Sequence, residues 1–309
     1  MHAAVLTAYD APPAYGEHLE PVARGEHEMV VDVLAAPLHH LARAKASGAH
    51  YSASGVLPLV PGVDGVVRDP AGRLRYAVLD DTDLGTFAER TVIDARRSVV
   101  LPDHVDPVRI AAAMNPGMSS WVALRRRITF QEGQRVLVLG ATGSAGRMAV
   151  QIARHFGAAQ VIAAGRDTAR LEELPALGAD RTLTFDEIAA AADVDVVLDF
   201  VWGEPAAGSI LPILTARTDR SVPLTWVQIG SIAGASAAVP SVALRSARLQ
   251  IVGSGIGSLS PRDFIAELPE LAAAVTEGAI DVRARAVPLD RIAQEWNDTR
   301  SGERLVFVP

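Results

Sequence analysis

Along the first 110 positions apolar residues come in short alternating runs, as at Met29 to Leu34, Arg73 to Leu79 and Ala88 to Val92, with Pro, Gly and Asp between them. A period of two over so few residues predicts strands, so this part of the chain reads as mainly β. From about Ala111 the pattern changes to an alanine-rich helix through Leu124, followed by Arg125, Arg126 and Arg127, which complement a helix C-terminus. After a polar break at 131–134 comes the apolar run Arg135-Val136-Leu137-Val138-Leu139, then a glycine-rich turn. The apolar positions Ala145, Met148, Ala149, Ile152, Ala153 and Phe156 beyond it share one helical face. Gly157 supplies a helix stop, Gln160 to Ala164 a second strand and Asp167 an N-cap, which completes a βαβ unit. Strands at Val194 to Phe200, Leu224 to Ile229 and Leu249 to Val252, with helical material between, extend this into a parallel sheet covered on both faces. A helix after Gly257 reaching about Thr276, a short helix near Leu289 to Asn297 and a strand at Leu305 to Val308 follow.

Composition narrows the reading. With 309 residues, 49% of them hydrophobic, the chain can bury a large core, and two lobes are expected. The net charge of −7 and the lack of a basic stripe with interleaved aromatics argue against nucleic acid as a partner. No apolar run approaches the roughly 18 residues that cross a bilayer, and the N-terminal residues lack a signal-peptide pattern, so a cytoplasmic protein with no membrane partner is expected. There is no cysteine, which removes thiolate nucleophiles, disulfides and cysteine-ligated metal sites.

The turn Gly140-Ala141-Thr142-Gly143-Ser144-Ala145-Gly146 follows a buried-type strand and opens an amphipathic helix. Free N–H groups and the helix dipole would there face a pyrophosphate; Gly143 lets the backbone approach it, and Gly146 lets helix pack on strand. At the end of the second strand, where an acid would bind the ribose 2′-hydroxyl of NAD, stand Gly165 and Arg166. A glycine leaves room for a 2′-phosphate and a guanidinium pairs with it, so the cofactor expected is NADPH, with Arg170 either joining or only coating the helix surface.

These residues, with Pro61-Gly62-Val63-Asp64-Gly65, Gly85-Thr86-Phe87-Ala88-Glu89, Asn115-Pro116-Gly117-Met118-Ser119-Ser120-Trp121 and Leu244-Arg245-Ser246 followed by Gly253-Ser254-Gly255-Ile256-Gly257, carry a resemblance over nearly the whole chain. It resembles the zinc-independent quinone oxidoreductase branch of the medium-chain dehydrogenase/reductase superfamily. The resemblance implies an α/β fold in which a Rossmann doubly wound parallel sheet, here 119–255, is inserted into a GroES-like β-rich substrate domain, here 1–118 and 256–309. It places the active site in the cleft between them. It further implies cofactor contacts at Ser119, Phe200, Val201, Gly230, Ser231, Gly253, Ser254, Gly255 and Arg304, and a homodimer through the outer strand near Leu249 to Val252. Where zinc-dependent relatives carry their ligands, this chain has His39, Val63 and Asn115, so no metal is expected. His39 and Ala42 stand where relatives commonly have Asn and Asp; either the local hydrogen bonding is rebuilt around His39 and His40 or the pocket differs.

The chemistry implied is hydride transfer to a small unsaturated carbonyl or quinone, with a hydrogen-bond donor where negative charge grows. Tyr51 is the first candidate, by resemblance to a family tyrosine, and is otherwise a wall residue. Asn115 either donates its amide or caps a helix beginning near Pro116. His39 and His50 offer a proton at neutral pH or are structural. Trp121, Trp202, Trp226 and Trp296 read as core or wall residues. Two other functions fit the same residues: a biosynthetic tailoring reductase or cyclase acting on one intermediate, and a protein that binds NADPH without catalysis.

Overall fold

A computed structural model describes residues 1–48, 57–80, 82–298 and 302–309. The chain forms two compact units, one of Met1–Asn115, Leu268–Gly278 and Val282–Pro309, the other of Pro116–Glu267 with Ala279–Asp281. The first is β-rich. Its larger sheet runs Ala284–Pro288, Arg304–Val308, Glu28–Pro37, Asp64–Arg68, Leu74–Val78 and Ser98–Val100, with Arg90–Asp94 paired to the long central strand Glu28–Pro37. A two-stranded sheet joins His2–Val5 to Ala14–Glu17. Phe87, the hub of this core, is fully buried and meets Phe307 and Trp296 edge-on at centroid distances of 5.5 and 6.0 Å. Such aromatic edges suit a core assembled from separate stretches of chain, because each ring covers a large area in a fixed orientation.

The second unit holds a six-stranded parallel sheet: β1 (Arg135–Leu139), β2 (Gln160–Ala164), β3 (Arg181–Leu183), β4 (Val196–Asp199), β5 (Leu224–Gln228) and β6 (Leu249–Gly253). Their spatial order is 3-2-1-4-5-6, so the winding reverses between β1 and β4, which is where open α/β sheets take ligands. Leu137, Val138, Leu139, Val197 and Leu198 are fully buried, as the uninterrupted apolar runs require of strands covered on both faces. The expected doubly wound sheet is present. Strand β3, three residues long, was not expected, because Arg181-Thr182-Leu183 has too little apolar content to register as a run.

Two local readings need correction. The helix expected from Ala111 begins at Pro107, because Asp106 accepts from Val108 N and Arg109 N at 2.9 and 3.3 Å and Pro107 suits the first helical turn. It continues through Pro116 to Val122, so Asn115 lies inside the helix and caps nothing. The helix then closes in a π-helical turn, Ala123–Arg127. The arginines there do more than offset a helix end: Arg125 and Arg126 pair with the buried Glu267, which also accepts from Trp121 Nε1 at 2.9 Å.

Candidate functional site

At the turn after β1, a Cβ on Gly146 would stand 2.2 Å from Gly140 O and 2.6 Å from Ala141 Cα. Only glycine permits that contact, and it seats the helix Ser144–His155 directly on the strand. Gly140 itself is left-handed, with φ of +83°, whereas Gly143 is exposed and a Cβ there would meet only Gly140 O, at 3.6 Å. Gly143 therefore keeps the surface open instead of filling the interior. No side chain caps the helix that it precedes, so the first-turn N–H groups are left for a ligand.

Gly165, past the end of β2, is buried against Thr142, whose Cγ2 lies 2.9 Å from where a Cβ would be. An acidic side chain at 165 would displace Thr142. Arg166 is exposed and holds no hydrogen bond or ion pair with the described residues. Arg170 differs, because its Nε lies 3.3 Å from Asp167 Oδ2, and Asp167 caps the short helix Thr168–Leu171.

Across the reversal, the loop after β4 closes on the glycine turn, and the loop after β5 closes on that loop in turn. A Cβ on Gly140 would meet Val201 Cγ1 at 2.9 Å and Phe200 Cβ at 3.4 Å, and one on Gly230 would meet Phe200 O at 2.5 Å. Ser231 is exposed, as are Gly253 and Gly255 after β6. Ser254 N donates to Gln228 O at 2.8 Å, while its hydroxyl is buried with no hydrogen-bond partner among the described residues. Ser119 Oγ donates to Pro116 O at 2.6 Å.

A residue that the sequence reading passed over organises this edge. Asp199, the last of β4, is fully buried. Its Oδ1 accepts from Val201 N and Trp202 N, both at 2.9 Å, and its Oδ2 from Trp226 Nε1 at 2.9 Å. Burial pushes its carboxyl upward, against the three N–H donors. A carboxylate closing the run Val196-Val197-Leu198-Asp199 is the signal that marks it in the sequence.

His39, Asn115 and Arg304 belong to the β-rich unit. His39 is 2% exposed and is the N-cap of the helix His40–Ala46, accepting from Ala42 N at Nδ1 (3.3 Å). Its other nitrogen, Nε2, stands 2.7 Å from Asp64 Oδ1, so the ring proton sits there and is donated to the carboxylate. With Nε2 donating to Asp64 and Nδ1 accepting from Ala42 N, His39 is engaged within the β-rich unit, which favours its structural reading over that of a proton donor. His40 is the exposed first residue of that helix. Tyr76 OH donates to Asp64 Oδ2 at 2.6 Å, and burial, then the Asp64 charge, raises its pKa well above the ordinary value. Arg304 is half-buried, and desolvation of its guanidinium pushes its pKa down to about 10, opposed by Asp64. It donates to Leu38 O at 3.3 Å, and its Nε is buried with no hydrogen-bond partner among the described residues. The carboxamide of Asn115 is half-buried and makes no protein hydrogen bond among the described residues. Tyr51 and His50 lie outside the described residues.

Residues 145–274 match the family model of the zinc-binding dehydrogenases. The "Probable NADPH-dependent quinone reductase tdiC" of Emericella nidulans is 30% identical over 361 aligned positions, which cover 100% of both chains. An Arabidopsis thaliana protein named as a chloroplastic NADPH-dependent alkenal/one oxidoreductase is 27% identical over 195 residues, 57% of this chain and 50% of that one. Among solved structures, the quinone oxidoreductase of Thermus thermophilus, also determined with NADPH, superposes with a TM-score of 0.84 at 24% identity over 100% of both chains. At that identity the likeness is one of fold, a Rossmann unit inserted in a GroES-like one.

Proposed function

Since the chain belongs to the quinone oxidoreductase branch of the medium-chain dehydrogenase/reductase superfamily, and is an oxidoreductase, we propose that it uses NADPH, without a metal, to reduce a quinone or an α,β-unsaturated carbonyl compound. The observation that carries the cofactor is the end of β2, where Gly165 backs onto Thr142 and Arg166 stands exposed, its donors uncommitted among the described residues. An acid there would select a 2′-hydroxyl; a guanidinium beside a glycine selects a 2′-phosphate.

NADPH, when bound, supplies the hydride. The uncapped first turn of Ser144–His155 would hold the pyrophosphate through its N–H groups, with Thr142 to Gly146 forming the cradle. Arg166 would hold the 2′-phosphate, with Arg170 beside it once released from Asp167. Ser119, Phe200, Val201, Gly230, Ser231, Gly253, Ser254 and Gly255 would enclose the remainder, and the unpartnered Ser254 hydroxyl supports that assignment. Tyr51 remains the first candidate donor to the oxygen that gains charge in the acceptor, and the Asn115 carboxamide, with no protein hydrogen bond among the described residues, is the second. The residues at the family's metal positions do not fit zinc: Val63 has no ligating atom, and both His39 nitrogens are engaged. No described helix is long and apolar enough to cross a membrane, and we keep the cytoplasm as the proposed location. Strand β6 ends the sheet, and pairing there with a second copy is the proposed homodimer contact.

The test is stopped-flow oxidation of NADPH against a panel of quinones and enones, with Arg166→Ala as the cofactor control. Loss of a charge-assisted phosphate contact should weaken NADPH by about 10- to 100-fold and leave NADH unchanged. Absence of oxidation with every acceptor, or equal weakening of both cofactors, would refute the reading.

A further inference from the structure

The loop after β4 is held in a conformation that its own sequence resists. Trp202 has φ of 49° and ψ of −160°, close to a region that only glycine occupies freely, and Gly203 follows at φ of +65°. A glycine at 202 would adopt this backbone without strain, yet the position carries the largest side chain, half-buried. Such a conformation persists only where the surroundings over-determine it.

The surroundings here are specific. Asp199 accepts the N–H groups of Val201 and Trp202 on one oxygen and the Trp226 indole N–H on the other. On the far side of the loop, Ala233 N donates to Val201 O at 2.9 Å, and a Cβ on Gly203 would stand 2.7 Å from Ala233 O. The loop is therefore clamped between Asp199 and the segment after β5. It is clamped where it matters, with Phe200 and Val201 against Gly140, at the reversal of the sheet. In a doubly wound sheet the half built on β4, β5 and β6 receives the nicotinamide nucleotide, and the half on β1, β2 and β3 receives the adenosine. The buried, unpartnered Ser254 hydroxyl and Gln228, whose Nε2 donates to Gly230 O at 2.9 Å, edge the same half.

We propose that Asp199 is a positioning residue for the nicotinamide half of the site: with Trp226 it latches Phe200-Val201-Trp202-Gly203 in the one conformation that walls that half. The inference rests on the NADPH reading above. Because the carboxylate's donors are uncharged groups, two of them belonging to the loop, the latch acts on loop shape. Its loss is felt by the nicotinamide end of the ligand and spares the adenosine end.

Calorimetric titration of the whole protein with NADPH and with 2′-phospho-ADP-ribose, which lacks the nicotinamide, tests this. Asp199→Asn and Trp226→Phe should each weaken NADPH by about tenfold while 2′-phospho-ADP-ribose changes less than about twofold, and the double variant should be no worse than the weaker single. In a Trp202→Gly background, where no strained residue remains to be held, Asp199→Asn should add little. Parallel weakening of both ligands, no weakening of either, or a full Asp199→Asn effect in the Trp202→Gly background would each overturn the latch. If the unaltered protein binds neither ligand, the NADPH reading itself fails; if it binds both and the variants behave alike, only the latch does.

Discussion

Two buried aspartates, one in each unit, keep opposite company. Asp69, at the turn from Asp64–Arg68 into Leu74–Val78, would be pushed upward by burial, but Arg75 at 2.8 Å, Arg73 at 2.9 Å and the Arg73 N–H hold its pKa at about 2. Asp199 is pushed upward by burial, and only the N–H groups of Trp202, Trp226 and Val201 oppose it. At Asp69, buried charge meets opposite charge and locks a hairpin. In the nucleotide unit, the carboxylate meets the amides of a strained loop and fixes that loop's shape without a stabilising cation. The same residue type thus serves stability in one place and geometry in the other.

The contrast breaks first if the charged cluster is cut. Arg75→Met removes the contacts to Asp69 and to Ser98 Oγ (3.0 Å) and should cost about 3 kcal/mol in urea unfolding at pH 7, with NADPH oxidation by the folded protein unchanged. Next, His39→Leu takes one donor from Asp64 and the cap from the helix His40–Ala46, which should cost about 2 kcal/mol by the same measurement. Asp199→Asn should cost less than about 1 kcal/mol at pH 7, because the lost acceptor is offset by relief of a buried charge. The smallest effect is in sign. As pH falls from 5 toward 2, unfolded Asp69 takes its proton first, so the wild type loses stability that Asp69→Asn does not. For Asp199 the unfolded form ionises first as pH rises, so the advantage of the wild type over Asp199→Asn should shrink as pH rises above the ordinary carboxylate range. Chemical denaturation at several pH values checks both; a common direction for the two would end the contrast.

What the sequence discloses follows the same division. Strands β1 and β2 fall at the residues that the apolar runs predict, and Gly157 (φ of +81°) and Asp167 terminate and cap helices as expected, because each rule there is local. The glycine turn is legible for the same reason: Gly140 and Gly146 constrain each other across six residues. His39 is not, since its role depends on Asp64, 25 positions away, and on a helix start that adjacent histidines do not announce. The passage of the helix through Asn115 and Pro116 is hidden by the local rule that proline breaks helices. Asp199 escapes notice because its indole partner lies 27 residues on and its other donors are backbone groups, which no side-chain motif records.

The pairing of Arg304–Val308 with Glu28–Pro37, through Val306 to Pro37 and Phe307 to Ala36, bears on the order in which the molecule is made. Contacts so far apart along the chain carry a large loop-closure entropy and form slowly. During synthesis the nucleotide unit, whose six strands lie between residues 135 and 253, is out of the ribosome while the β-rich sheet still lacks one of its central strand's three partners. The early strands must wait with one edge open, and the large apolar ring of Phe87 waits for Phe307. Until Arg304–Val308 docks, that edge and that ring are the parts of the β-rich unit open to pairing with another chain.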